Sequence, residues 1–130
     1  MAIVLNSLIF LVAVMHFAFM IIEMFFWTKP LGLKVFRQSI EKAQVSKVLA
    51  ANQGLYNGFL ASGLIWALLH PVNEVALQLK FFFLLCVVIA GVFGAMTVSR
   101  KILFIQAGPA IVALALMSFF CTVDSSTVPM

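Results

Sequence analysis

In the oily run MHFAFMIIEMFFWTKP, the two ionisable side chains ahead of Lys29 are His16 and Glu23, seven positions apart. On a helix turning 100° and rising 1.5 Å per residue, the pair falls within about 20° of one face and roughly 10.5 Å apart along the axis. They cannot touch, but they can line one wall of a polar site. Either can act as acid, base or hydrogen-bond partner. An ionisable group among apolar neighbours is costly unless a partner or water meets it, so it marks a candidate site by default. The plainer reading gives His16 a hydrogen bond to a neighbouring helix and Glu23 a reach toward interfacial water or Lys29.

A second polar group opens the segment ANQGLYNGFLASGLIW. Asn52, Gln53, Tyr56 and Asn57 occupy an arc of about 140° on a helix, and Gly54, Gly58, Ala61 and Ser62 occupy the neighbouring arc. The first arc seeks hydrogen bonds. The second, with its Gly54-x-x-x-Gly58 spacing, lets another backbone approach closely. Four amide or phenol groups within two turns serve either as glue between helices or as a surface facing a ligand.

The elements that carry these residues follow from composition. Of 130 residues 65% are apolar, only 9% are charged and Phe occurs 14 times, which is the composition of a membrane protein. About 20 apolar residues cross the roughly 30 Å hydrocarbon core as a helix. Four such runs are present, at about residues 3–27, 48–70, 77–98 and 102–123. The expected fold is therefore a single all-α domain over 1–130, an integral membrane four-helix bundle. A cleaved signal peptide is the competing reading of the first run, but no basic region precedes its long core.

Basic residues set the orientation, because Lys and Arg in short loops stay in the cytoplasm. Lys29, Lys34, Arg37, Lys42 and Lys47 lie between the first two runs, and Arg100 and Lys101 between the last two, against Lys80 alone on the other side. Both termini are expected outside. The net charge of +4 then belongs to topology and anionic lipid rather than to nucleic acid. Leu33, Phe36, Ile40 and Ala43 recur at helical spacing, so the segment between the first two spans is expected to be a short amphipathic cytoplasmic helix or an extension of the second span. His70 to Glu74 form an outer turn with Asn73 as a helix cap, and Asp124 to Met130 a polar tail.

Depth brings the polar residues together. Glu23, Asn52, Gln53, Tyr56 and Asn57, then Thr97, Ser99 and Gln106, all fall at the inner ends of their runs. Ala90, Gly91, Gly94 and Ala95 thin the third run, and Pro109 after Gly108 is expected to kink the fourth. Small residues beside polar ones either leave a pocket open to the inner leaflet or allow packing that closes it. No metal-ligand spacing, phosphate loop or serine elbow is present, the Gly91 and Gly94 pair is a packing feature, and Cys86 and Cys121 are packing residues too far apart to bridge.

The motifs EMFFWTKP, KVLAANQGLYNGFLASGLIWAL and AGVFGAMTVSRKILFIQAGPAIVAL closely resemble those of the domain of unknown function 1304 family, small four-helix integral membrane proteins. The resemblance implies the four-span fold and singles out Glu23, Trp27, Asn52, Gln53, Tyr56, Asn57 and Gln106, but it brings no activity. The chain is more loosely similar in architecture to the membrane-associated eicosanoid and glutathione enzymes; Lys47 stands here in place of their arginine cluster.

Three functions follow as expectations. The first is a multi-pass cell-membrane protein holding a lipid-like or amphipathic small molecule through His16, Glu23, Asn52, Gln53, Tyr56, Asn57 and Gln106. The second is a homo-oligomer moving a small solute or proton. The third is a non-catalytic protein that packs against a membrane partner through its small-residue faces. Membrane lipid is the expected surrounding, and neither a cofactor nor a catalytic reaction is specified.

Overall fold

The computed structural model describes residues 2–97 and 103–126, and the side chains of residues 3–97 and 103–119. Every regular element in these residues is helical. They are α1 (Ala2–Ile21), α2 (Pro30–Phe36), α3 (Ile40–Leu69), α4 (Asn73–Thr97) and α5 (Gly108–Ser126). Two single π-helical turns, Ile22–Phe26 and Leu103–Ala107, continue α1 and precede α5. Ser99, Arg100 and Lys101, the side chain of Cys121 and the end of the polar tail from 127 lie outside the described residues.

Two helical stretches, Ile3–Phe26 and Asn73–Thr97, are long and apolar enough to cross a membrane, and Leu103–Phe119 is a shorter apolar one. In the apolar 18-residue part of each, only 28% and 22% of residues are buried, so most of their large apolar side chains face outward. Phe25 is 65% exposed and Phe93 67%. α3 has the length of a span, but Asn52, Gln53, Tyr56 and Asn57 interrupt its apolar character.

The segment between α1 and α3 divides where sequence periodicity does not. Lys29 is extended, as the residue before a proline prefers, and Pro30 opens α2 at a position where its missing N–H costs nothing. Arg37 then takes the left-handed conformation (φ 51°, ψ 47°), and the Gln38 amide closes back on the Leu33 carbonyl at 3.1 Å. The Ser39 hydroxyl accepts the Lys42 amide at 3.4 Å and so caps α3. The same hydroxyl holds the exposed Glu41 carboxyl below its ordinary range. Leu33 and Phe36 thus belong to α2, whereas Ile40 and Ala43 belong to the first turn of α3.

At the other end of α3, Asn73 is the first helical residue of α4 and not its cap. The first helical bond runs from the Ala76 amide to the Val72 carbonyl at 2.9 Å, and the Val72 amide meets the His70 ring nitrogen at 3.2 Å. Before α5 the chain makes a π turn over Leu103–Ala107, and Pro109 is the second residue of α5.

The contacts divide the chain into two compact units. One comprises Ala13–Ser62, the other Met1–Val12 with Gly63–Met130. In the first, α3 buries a stripe of small residues, Ala43, Ala50, Gly54 and Ala61, with Asn57 among them. In the second, Gly91 of α4 lies against Ala107, and a Cβ at Gly91 would stand 2.7 Å from the Ala107 Cβ. Gly91 therefore serves close packing there, whereas Ala90, Gly94 and Ala95 are half-buried and Ala95 lines an open groove.

Candidate functional site

The Ala13–Ser62 unit holds the polar residues in a definite order, and its glycines explain why. A Cβ at Gly54 would lie 2.7 Å from the Met24 side chain, 3.1 Å from the Glu23 Cβ and 3.1 Å from the Met20 carbonyl oxygen. One at Gly58 would lie 2.6 Å from the Met20 sulfur. The Gly54-x-x-x-Gly58 face is thus occupied by the end of α1 within the chain. Asn57 sits next to that face on the helix wheel, and its side chain reaches the Glu23 carboxylate.

There the Asn57 Nδ2 donates to Glu23 Oε2 at 2.7 Å. Both residues are buried, Glu23 8% and Asn57 4% exposed. Glu23 is the second residue of the π turn Ile22–Phe26. Such single turns carry one extra residue between hydrogen-bonded partners, which re-aims the side chains beyond them and recurs at functional positions. The carboxylate is therefore met by an amide donor, whereas Lys29 is exposed.

His16 is fully buried seven residues earlier, and its ring meets Phe19 edge-on with centroids 6.3 Å apart. The other three polar residues of α3 are at the surface of the chain. Asn52 and Gln53 are exposed, and Tyr56 is 52% exposed with its ring against Phe59. Gln106, in the other compact unit, is half-buried on the π turn Leu103–Ala107. The structure thus brings Glu23 and Asn57 together, buries His16 on the same helix as Glu23, and leaves Asn52, Gln53 and Tyr56 facing outward.

One layer of this site escaped the sequence reading. The Trp27 indole N–H donates to Ser46 Oγ at 3.1 Å, and that hydroxyl donates to the Lys42 carbonyl at 2.8 Å. The Trp27 ring also packs on Phe36 at 4.6 Å between centroids. Gly32 of α2 lies directly against the Phe26 and Trp27 carbonyl oxygens. Ser46 was legible in principle: it stands eleven residues before Asn57, three helical turns, and so shares its face. Tryptophan with a polar partner for its N–H is the expected pairing wherever the ring is partly buried.

Chemically, Glu23 and Asn57 form a buried carboxylate–amide pair, and α3 presents two carboxamides and a phenol separately at the chain's surface. Among the described residues no three His, Cys, Asp or Glu side chains come together to hold a metal ion. Two broad open grooves, of about 550 and 610 Å³, lie in the other unit and are lined by neither Glu23 nor Asn57.

Comparison with known proteins places these residues in a family. Residues 10–118 match the family model described as a protein of unknown function (DUF1304). The chain is 34% identical over 112 residues to the uncharacterized protein YpaA of Lactococcus lactis subsp. lactis (strain IL1403), covering 85% of this chain and 92% of that protein. No solved structure matches.

Proposed function

We propose a function from the side chains themselves, since the chain belongs to the DUF1304 family and that family's description assigns no activity. In this reading the protein is a multi-pass membrane protein with spans at about 3–27, 48–70, 77–98 and 102–123, its termini outside and its basic segment in the cytoplasm. It binds an amphipathic small molecule at the inner leaflet. The headgroup is received by Glu23, Asn57, Gln53, Asn52 and Tyr56, and the apolar part lies along the outward-facing side chains of α1 and α3.

One observation carries the reading. Asn57 is committed to a buried carboxylate at 2.7 Å, while Asn52, Gln53 and Tyr56 beside it stay exposed on a helix otherwise suited to lipid. Exposed amides within the bilayer are expensive, so an occupant that hydrogen-bonds to them removes a cost of a few kcal/mol. Carboxylate, carboxamide and phenol together favour a headgroup rich in donors, an amine or a polyol. The packing-protein reading loses its main surface, because the glycine face is filled by Met20, Glu23 and Met24. Proton movement keeps one supporting fact, the burial of both His16 and Glu23 on one helix.

Native mass spectrometry of the full chain, extracted from its own membranes in mild detergent, tests the proposal. A retained small molecule is expected on the wild type and lost from a Gln53→Ala, Tyr56→Phe double variant that leaves the Glu23–Asn57 bond in place. A wild-type protein that carries nothing removes the binding reading. Proteoliposome proton flux abolished by Glu23→Gln in that case favours the second.

A further inference from the structure

Of the eight Lys and Arg residues, seven lie within residues 28–47 and 100–101, and Lys80 stands apart inside the apolar run of α4. Topology explains the seven and leaves Lys80 without a role. Its ammonium is held by Asn6 of α1, Nζ donating to Asn6 Oδ1 at 2.9 Å. An ammonium has three N–H donors, so two remain beyond this bond. Among the described residues no carboxylate pairs with it.

Asn6 also lines the open groove of about 610 Å³ in the Met1–Val12 and Gly63–Met130 unit, together with Ser7, Phe10, Ile65, Leu68 and Leu69. Asn6 and Ser7 present an amide and a hydroxyl between Ile3 and Phe10 on α1, and Ile65, Leu68 and Leu69 of α3 complete an otherwise apolar lining. A cation bonded to the polar pair, with apolar residues on either side of that pair, is the complement of an anionic headgroup with an acyl chain.

We propose that this groove is a binding site for an anionic phospholipid, its phosphate on Lys80, Asn6 and Ser7 and one acyl chain over Phe10, Ile65 and Leu68. A free inorganic anion would use the polar pair alone and leave the apolar lining uncovered. The site lies in the other compact unit from Glu23 and Asn57 and does not rest on what binds there. Fixing Lys80 to Asn6 rather than leaving it to reach into bulk water holds its charge at the groove.

The test is native mass spectrometry of the full chain with phosphatidylglycerol and phosphatidylcholine of identical acyl chains. The wild type is expected to retain phosphatidylglycerol about fivefold over phosphatidylcholine, the contribution of one interfacial lysine. Lys80→Gln, which keeps a hydrogen-bonding side chain but no charge, brings the two lipids to near equality, and Lys80→Arg keeps the preference. A Lys34→Gln, Arg37→Gln, Lys42→Gln triple variant also keeps it, which separates the groove from the basic segment. Equal retention by the wild type, a preference that survives Lys80→Gln, or its loss in the triple variant overturns the proposal. Displacement of the lipid by excess inorganic phosphate overturns it too, in favour of a simple anion site.

Discussion

Asn57 gives the Glu23 carboxylate the donor that water gives elsewhere, and nothing else in the geometry of that bond replaces it. Truncating Asn57 to Ala leaves a buried oxygen unsatisfied, which costs about 2 kcal/mol of stability. Asn52→Ala, at an exposed position, is expected to stay within about 0.5 kcal/mol. Denaturant unfolding of the two variants in one detergent separates them, and equal effects would remove the structural role assigned to Asn57. The types of both residues were conspicuous in the sequence, an acid and an amide inside apolar runs. Their pairing was not, because they stand 34 positions apart and the helical wheel spreads four candidate partners over a wide arc. The glycines decide among the four: only Asn57 adjoins the face on which α1 rests, so Asn52, Gln53 and Tyr56 fall outward.

Elements in this chain end and meet where a Cβ would not fit, and the three glycines of the Ala13–Ser62 unit are graded in that respect. At Gly32 an added methyl meets the backbone oxygens of Phe26 and Trp27, which cannot swing away; at Gly58 it meets the thioether of Met20, which can. Gly54 is between them, with one backbone oxygen at 3.1 Å. Gly32→Ala should therefore cost about 3 kcal/mol or more, Gly54→Ala about 1–2 and Gly58→Ala under about 1. Thermal unfolding midpoints in that order check the packing, and a reversed order contradicts it. The two long apolar helices, Ile3–Phe26 and Asn73–Thr97, were legible because apolar length is a direct physical signal. The break at residues 37–39 was not, because Leu33, Phe36, Ile40 and Ala43 keep their helical spacing straight through it. Arg37 takes a left-handed conformation that glycine usually announces, and only Ser39, a ready helix cap, marked the restart. The π turn at Ile22–Phe26 leaves no compositional trace at all.

For the molecule as a whole, the decisive quantity is the apolar surface left outside. The apolar 18-residue parts of Ile3–Phe26 and Asn73–Thr97 are 28% and 22% buried, whereas the core helix of a water-soluble protein is mostly buried. The proposed membrane setting would accept such a surface, and it fits the length of α3. Its 30 residues reach roughly 45 Å, some 15 Å beyond the hydrocarbon core, and its first third bears Glu41, Lys42, Gln44 and Lys47, which the proposed topology puts in water. The proposed topology then makes a prediction about sidedness. With Cys86 and Cys121 replaced by Ala, a cysteine at Gln44 should react with a membrane-impermeant maleimide only from the cytoplasmic face. One at Glu74 should react only from the opposite face, and one at Phe82 from neither. All three positions are exposed on the chain, so steric burial does not separate them. A protein free in solution would label at all three, and labelling of positions 44 and 74 from the same face would mean that α3 does not cross.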